Sequence, residues 1–277
     1  MKKNLILLVI FTRLFSQSEH PYPPLNLISI PTGGTMPRGS YTFEILLQNN
    51  GGLLPEIAVG LTEHFTIGIS YGLKNLIGDL KPAVNRSKPE VNLKYRLYEE
   101  TLTWPALVIG LDTQGRGVYQ DSVYAGSNNG GIEKLVNRYD QKAWGLFLVM
   151  SKNYNLFGNL GLHLGVNKNA WEIKDNDKDM NLFFGFDKEI NRSFSLLVEY
   201  DAAWNDNSFN NSLEIVNPNE NNVSDITFGK GRGYLNAAFR WTIANNLLLE
   251  IDFNNISRNT SAEYTNREIK IMYSEKF

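Results

Sequence analysis

Three histidines, His20, His64 and His163, are the side chains of this sequence best suited to move a proton near neutral pH. His20 sits in the N-terminal segment and His64 between two apolar runs, which leaves His163 as the candidate base on a regular element. Ser70 and Ser195 fall on the same periodic face, so a Ser and His pair acting on lipid esters is conceivable. Neither serine stands at the strand-to-helix turn that a nucleophile motif requires, and no catalytic residue is assigned. Asp175, Asn176, Asp177 and Asp179 offer closely spaced oxygens of the kind that hold Ca²⁺. The Gly and the closing Glu of a calcium loop are missing, so they read as a solvated acidic turn, and no metal is expected. Gly229, Gly231 and Gly233 flank Lys230 and Arg232, yet they neither follow a strand nor open a helix as a phosphate cradle would, and a flexible loop is expected. Cysteine is absent, which excludes disulfides, zinc-thiolate sites, a thiol nucleophile and a lipid-modified N-terminal Cys. No cofactor is implied.

Charge and composition narrow the class further. The 27 Lys and Arg against 29 Asp and Glu give a net charge of −2, without the basic footprint of a nucleic-acid binder. Aromatics at 12%, with 23 Gly and abundant Asn, suit strands and turns. Lys2 and Lys3, the apolar run Leu5 to Phe11 and Ser16 or Ser18 as cleavage points read as an export signal, although Arg13 follows the apolar run closely. No stretch approaches the ~20 apolar residues of a spanning helix. The expected organisation is a signal peptide over 1–18, an N-terminal periplasmic segment over 19–39 and a barrel over 40–277.

The elements that must carry these residues are strands, because period-two alternation recurs throughout. Phe65, Ile67, Ile69 and Tyr71 oppose Thr66, Gly68, Ser70 and Gly72; Leu247, Leu249, Ile251 and Phe253 oppose Leu248, Glu250, Asp252 and Asn254. Twelve segments fit this pattern, near 40–48, 55–62, 65–73, 91–99, 105–113, 142–152, 156–166, 180–188, 193–203, 232–242, 246–254 and 265–277. Short links alternate with the long stretches 74–90, 114–141, 167–179, 204–231 and 255–264, with the link 49–54 the least clear. An even strand count with loops sorted by length to one rim predicts an all-β transmembrane antiparallel up-and-down barrel of about twelve strands, with short periplasmic turns and long outer loops, in the bacterial outer membrane. A soluble sandwich would not sort its loops so regularly.

In such a barrel the polar face lines the lumen. That face carries Glu44, Lys94, Arg96, Asp112, His163, Asp187, Glu199, Asp201, Arg240, Glu250, Asp252 and Lys270. Acids outnumber bases, so the lumen either favours cations or pairs its charges into a closed interior; at a size between the filled ~8-strand and the open ~16-strand barrels, both stay open. Trp104, Trp144, Tyr154, Trp204 and Trp241 stand near strand ends and are candidates for interfacial girdles. Expected partners are outer-membrane lipid and small hydrophilic solutes or polysaccharide.

Several phrases resemble those of poorly characterised bacterial outer-membrane barrels, including the YjbH-type barrels associated with exopolysaccharide production. They are Pro31-Thr32-Gly33, Gly39-Ser40-Tyr41, Val59 to Gly72, Pro89 to Leu97, Ile109 to Gly115 and Gly233 to Trp241. The resemblance implies an outer-membrane barrel, and an accessory role in exopolysaccharide export, without catalytic residues. Ile269, Ile271 and Tyr273 alternating into Phe277 likewise resemble the C-terminal signal read by the barrel assembly machinery, with Tyr273 and Phe277 as its aromatic residues and Glu275 the departure from it.

Overall fold

A computed structural model describes residues 24–78, 81–125, 132–175, 177–208, 214–215, 226–227, 229–230, 232–259 and 265–277. The proposed export signal and His20 lie outside them.

Twelve antiparallel strands form one closed wall. They are β1 (Ser40–Gln48), β2 (Gly52–Gly60), β3 (Phe65–Ser70), β4 (Glu90–Tyr98), β5 (Ala106–Asp112), β6 (Gly145–Asn155), β7 (Asn159–Lys168), β8 (Asn181–Glu189), β9 (Phe194–Asp201), β10 (Tyr234–Ala244), β11 (Leu247–Asn254) and β12 (Asn266–Lys276). Each pairs with its neighbours in sequence, and β1 pairs with both β2 and β12, for example Ile45 with Ile271, so that the sheet has no edge. Closure satisfies the backbone groups of the strands within the wall, which is the condition for a sheet in hydrocarbon.

Alternation determines which face is which. Ile57, Ile69, Ile109, Phe184, Phe239, Ile251 and Ile271 are exposed on the outside, while the intervening positions are buried. A soluble protein would bury such a belt; around a barrel it is the face that lipid covers. The expected fold is therefore present, with all twelve strands within a few residues of the predicted spans. The unclear first link resolves into a short 3₁₀ turn, Asn49–Gly51, at the long-loop end of the wall. Gly51 has φ +65°, and a Cβ there would stand 1.9 Å from the Ile77 carbonyl oxygen. Only glycine permits that approach.

At the rim that carries the long links, here the upper rim, part of the chain between β5 and β6 forms a hairpin of Arg116–Ala125 with Ile132–Gln141. Its feet are bonded to the neighbouring links: Asn85 Nδ2 donates to Gly117 O at 2.7 Å, and Tyr119 N to Asn85 Oδ1 at 2.7 Å. The segment between β9 and β10 contributes two short ladders, Asn207–Ser208 with Gly229–Lys230 and Glu214–Ile215 with Ile226–Thr227. The Gly-rich stretch expected as a flexible loop is thus partly paired.

The largest departure from expectation concerns the N-terminal segment. Residues 24–39 do not hang below the barrel as a periplasmic segment; they run inside the wall. Leu27, Ile28 and Ile30 are fully buried in one apolar cluster with Val108, Phe147, Val149, Phe183, Leu197 and Ala238, all inward residues of β5, β6, β8, β9 and β10. The reason is apolar burial: three large aliphatic side chains left in water would each forgo roughly 1.5–3 kcal/mol.

Candidate functional site: the occupied lumen

The inserted segment is a tight hairpin. Leu27 N donates to Ile30 O at 2.9 Å and Thr32 N to Leu25 O at 3.1 Å, with Asn26 bridged to Pro31. Its tip, Leu27 to Ile30, lies in the upper half of the lumen, and its outgoing limb descends through Gly33 and Met36 to the start of β1.

A turn this tight leaves peptide groups unpaired, and the wall supplies their partners. Successive N–H groups of Ile28, Ser29 and Ile30 donate to the Glu199 carboxylate at 2.9, 3.0 and 3.1 Å, and the Ser29 hydroxyl donates to it as well. Such a run of amides forms an anion-holding concavity, with a buried carboxylate as the anion. The carbonyls face cations. Arg240 Nη2 reaches Leu27 O at 2.7 Å, Lys270 Nζ and Arg116 Nη2 each reach Ile28 O at 2.8 Å, and the Trp144 indole N–H donates to Ser29 O at 3.0 Å. Lys94 Nζ donates to Leu25 O and, at 3.2 Å, to Thr32 O. Lower down, Gly33 N donates to Ser151 Oγ at 2.7 Å, Met36 N to Thr66 Oγ1 at 2.8 Å, and Arg96 holds the Thr35 hydroxyl and the Glu63 carbonyl.

Of the residues expected to line the lumen, Lys94, Arg96, Glu199, Arg240 and Lys270 come together on the hairpin. Glu250 joins that group from behind, accepting from Arg240 Nε at 2.6 Å and Lys270 Nζ at 2.9 Å, while Glu44 lies 3.8 Å from Lys270. Asp252 is fully buried beside Glu250, Lys270 and Arg116, and neither of its oxygens has a hydrogen-bond donor among the described residues. Asp112 and Asp201 stand apart from the hairpin; Asn92 and the Gln114 N–H hold the first, and Asn181 and the Ala203 N–H the second.

His163 pairs with neither predicted serine. Its Nδ1 lies 2.7 Å from Ser151 Oγ and its Nε2 2.9 Å from Asp187 Oδ1. Ser70 instead donates to Gln114 Oε1 at 3.0 Å. A Ser, His and carboxylate in sequence has the order of a nucleophilic relay. Here Ser151 is buried, faces the lumen and already accepts the Gly33 N–H, so the arrangement anchors the hairpin limb.

At the upper rim a second polar cluster is buried among the long links. Fully buried Arg138 donates to Asp175 at 2.6 Å and to Asp206, and Lys142 Nζ reaches Asp175 at 2.6 Å. Glu172 accepts from the N–H groups of Tyr139 and Ala143 at 2.9 and 2.7 Å, and burial pushes its carboxyl up to about 7 against those two bonds. Asp175 and Asp177 are therefore buried, the former neutralised by Arg138 and Lys142, which corrects the expected solvated acidic turn; Asn176 lies outside the described residues. No group of three His, Cys, Asp or Glu suited to a metal ion occurs among the described residues.

Trp144 is also corrected. It packs inward, its ring 5.0 Å from that of Phe183, whereas Trp104, Tyr154, Trp204 and Trp241 are exposed near the strand ends. The residues that sequence reasoning passed over are the inward apolar ones, Val108, Phe147, Val149, Phe183 and Leu197. Their signal was present as runs apolar in both phases, Leu107-Val108-Ile109, Leu182-Phe183-Phe184 and Leu196-Leu197-Val198. A water-filled lumen gives no reason for such runs; a lumen with an apolar occupant does.

No protein-family profile and no curated protein matches this sequence. Similar solved structures are outer-membrane barrels. The KdgM porin is 10% identical over 84% of this chain and 98% of its own, with a TM-score of 0.48. The NanC porin is 10% identical over 86% of this chain and 99% of its own, with a TM-score of 0.42, and the outer-membrane protein Omp33 of Acinetobacter baumannii is 8% identical over 86% and 97%, with a TM-score of 0.40.

Proposed function

We propose that this chain is a non-enzymatic outer-membrane β-barrel whose narrow passage for small hydrophilic solutes is closed at rest by its own N-terminal hairpin. The carrying observation is the fit of the hairpin to the lumen, with aliphatic side chains on apolar wall residues and peptide groups on wall charges. The long-link rim faces outward and the short turns face the periplasm, so the hairpin enters from the periplasmic side. Tyr273 and Phe277 serve as the assembly signal at that same end of the wall. Acids outnumber bases on the inner face, so the opened barrel favours cations.

Conductance in planar bilayers tests this reading. The full-length barrel is expected to be silent and a variant lacking residues 24–36 to show steady steps with a reversal potential favouring cations. Conduction by the full-length barrel at the same level, or silence from a folded deletion variant, would overturn it.

Support for the lipid-hydrolase alternative is slight, because Ser151 and His163 face the lumen rather than the lipid-covered face. A role in polysaccharide export rests on the resemblance of the strand phrases alone. Unaltered surface polysaccharide after removal of the gene would count against it.

A further inference from the structure

The upper hairpin of Arg116–Ala125 with Ile132–Gln141, here called the cap, meets the N-terminal hairpin inside the barrel. Arg116, at the first foot of the upper hairpin, donates to Ile28 O at 2.8 Å and lies 3.3 Å from Glu268. Trp144, just past the second foot, donates to Ser29 O at 3.0 Å. From Arg138 through the foot to Ala143, the chain is fixed to the neighbouring outer links: Arg138 to Asp175 and Asp206, Tyr139 N to Glu172, Lys142 N to Asp206 at 3.2 Å, and Ala143 N to Glu172. One continuous run of bonded side chains and backbone thus leads from the upper rim to two adjacent carbonyls at the tip of the lumen hairpin.

We propose that this cap is coupled to the lumen hairpin, so that an event loosening the upper rim, such as a ligand inserting among Arg138, Glu172, Asp175 and Asp206, releases the hairpin tip through Arg116 and Trp144. Both ends of the contact must move together for this to hold. Ile28 O takes one donor from the cap, Arg116, and one from the wall, Lys270, while Ser29 O takes Trp144 just past the second foot, so withdrawing the cap removes or shifts donors at both carbonyls and weakens the seat of the hairpin. The barrel then reports an outer event to its periplasmic face, whether or not any solute passes. Proximity along a bonded run is not by itself coupling, so the test perturbs one end and reads the other.

Hydrogen exchange resolved by mass spectrometry provides the measurement, with Arg138→Ala as the perturbation because Arg138 touches the outer links and not the hairpin. Exchange over residues 24–36 should quicken about tenfold, as expected for the loss of roughly one net hydrogen bond of local stability, while the wall strands β8 and β9 keep their protection. Glu172→Ala, which frees the Tyr139 and Ala143 amides, should act in the same direction and serves if the first variant does not fold. Cap amides that quicken while the hairpin stays protected would overturn the proposal, and so would wall strands that lose protection as much as the hairpin does.

Discussion

Glu199 carries the heaviest duty of any single side chain in the lumen. It accepts three backbone N–H groups of the hairpin tip and the Asn236 amide, the last at 2.8 Å. Replacing it with Ala strands those donors in a buried site, where each hydrogen bond to a charged partner is worth about 1.5–3 kcal/mol. The Glu199→Ala barrel should still close, since its wall ladder is backbone-made, but the hairpin should lose protection by at least about a hundredfold in hydrogen exchange. Unchanged protection would mean that apolar burial of Leu27, Ile28 and Ile30 suffices alone. The strand beside it shows the same economy of space: Gly185 pairs directly with Glu199, and a Cβ there would stand 2.5 Å from Leu27 Cδ2, so the hairpin tip nests on a glycine.

The cap is the element whose stability should depend on pH. Burial raises the Glu172 carboxyl to about 7, and raises Asp140 and Asp177 as well. A carboxyl that sits higher in the folded state than in the open one binds its proton more tightly when folded. Its stabilising contribution is complete below the ordinary carboxylate range and is lost as pH rises toward about 7. Local opening of residues 116–141, read by hydrogen exchange corrected for the intrinsic rate, should therefore be more frequent at pH 8 than at pH 5. Glu172→Gln should flatten most of that dependence. A cap equally closed at both values would show that its ion pairs, Arg138 with Asp175 and Asp206, outweigh the burial of Glu172.

For the molecule as a whole, the closed wall is the source of stability, and it predicts a familiar behaviour of barrels in detergent. Because β1 is laced to β12 along its length, no end is free to fray, and unfolding requires the ring to open. An unheated sample should migrate faster on a gel than a boiled one, and the same shift provides the folding control for every variant above. A full-length chain of identical mobility before and after heating would contradict the closed ring. The apolar exterior and polar interior also invert the usual order of a soluble protein, which is why neither face of the wall could be left to chance in the sequence.

Strand number, strand spans, the inward set and the sorting of links were legible in the sequence, because period-two alternation is a local property: each residue's face follows from its neighbours' faces. His163 shows where that reading ended. Alternation placed it on the inner wall, but its serine could be named only once the register set Ser151 opposite it, since partners across strands depend on pairing that no single strand encodes. Asp175 shows a second limit; four acidic or amide residues in a loop look solvated until Arg138, thirty-seven residues away, is folded over them. The N-terminal hairpin is the clearest case. Its aliphatic Leu25, Leu27, Ile28 and Ile30 and the doubly apolar wall runs both stand in the sequence, but each is incomplete alone, and only closure of the barrel gave the one a cavity and the other an occupant. The sequence by itself determined a wall with a lipid face and a lumen face, because that is written in side-chain periodicity. Whether the lumen was open was decided by tertiary structure, because it depends on contacts between residues as far apart as Ile28 and Glu199, which meet only when the ring is shut.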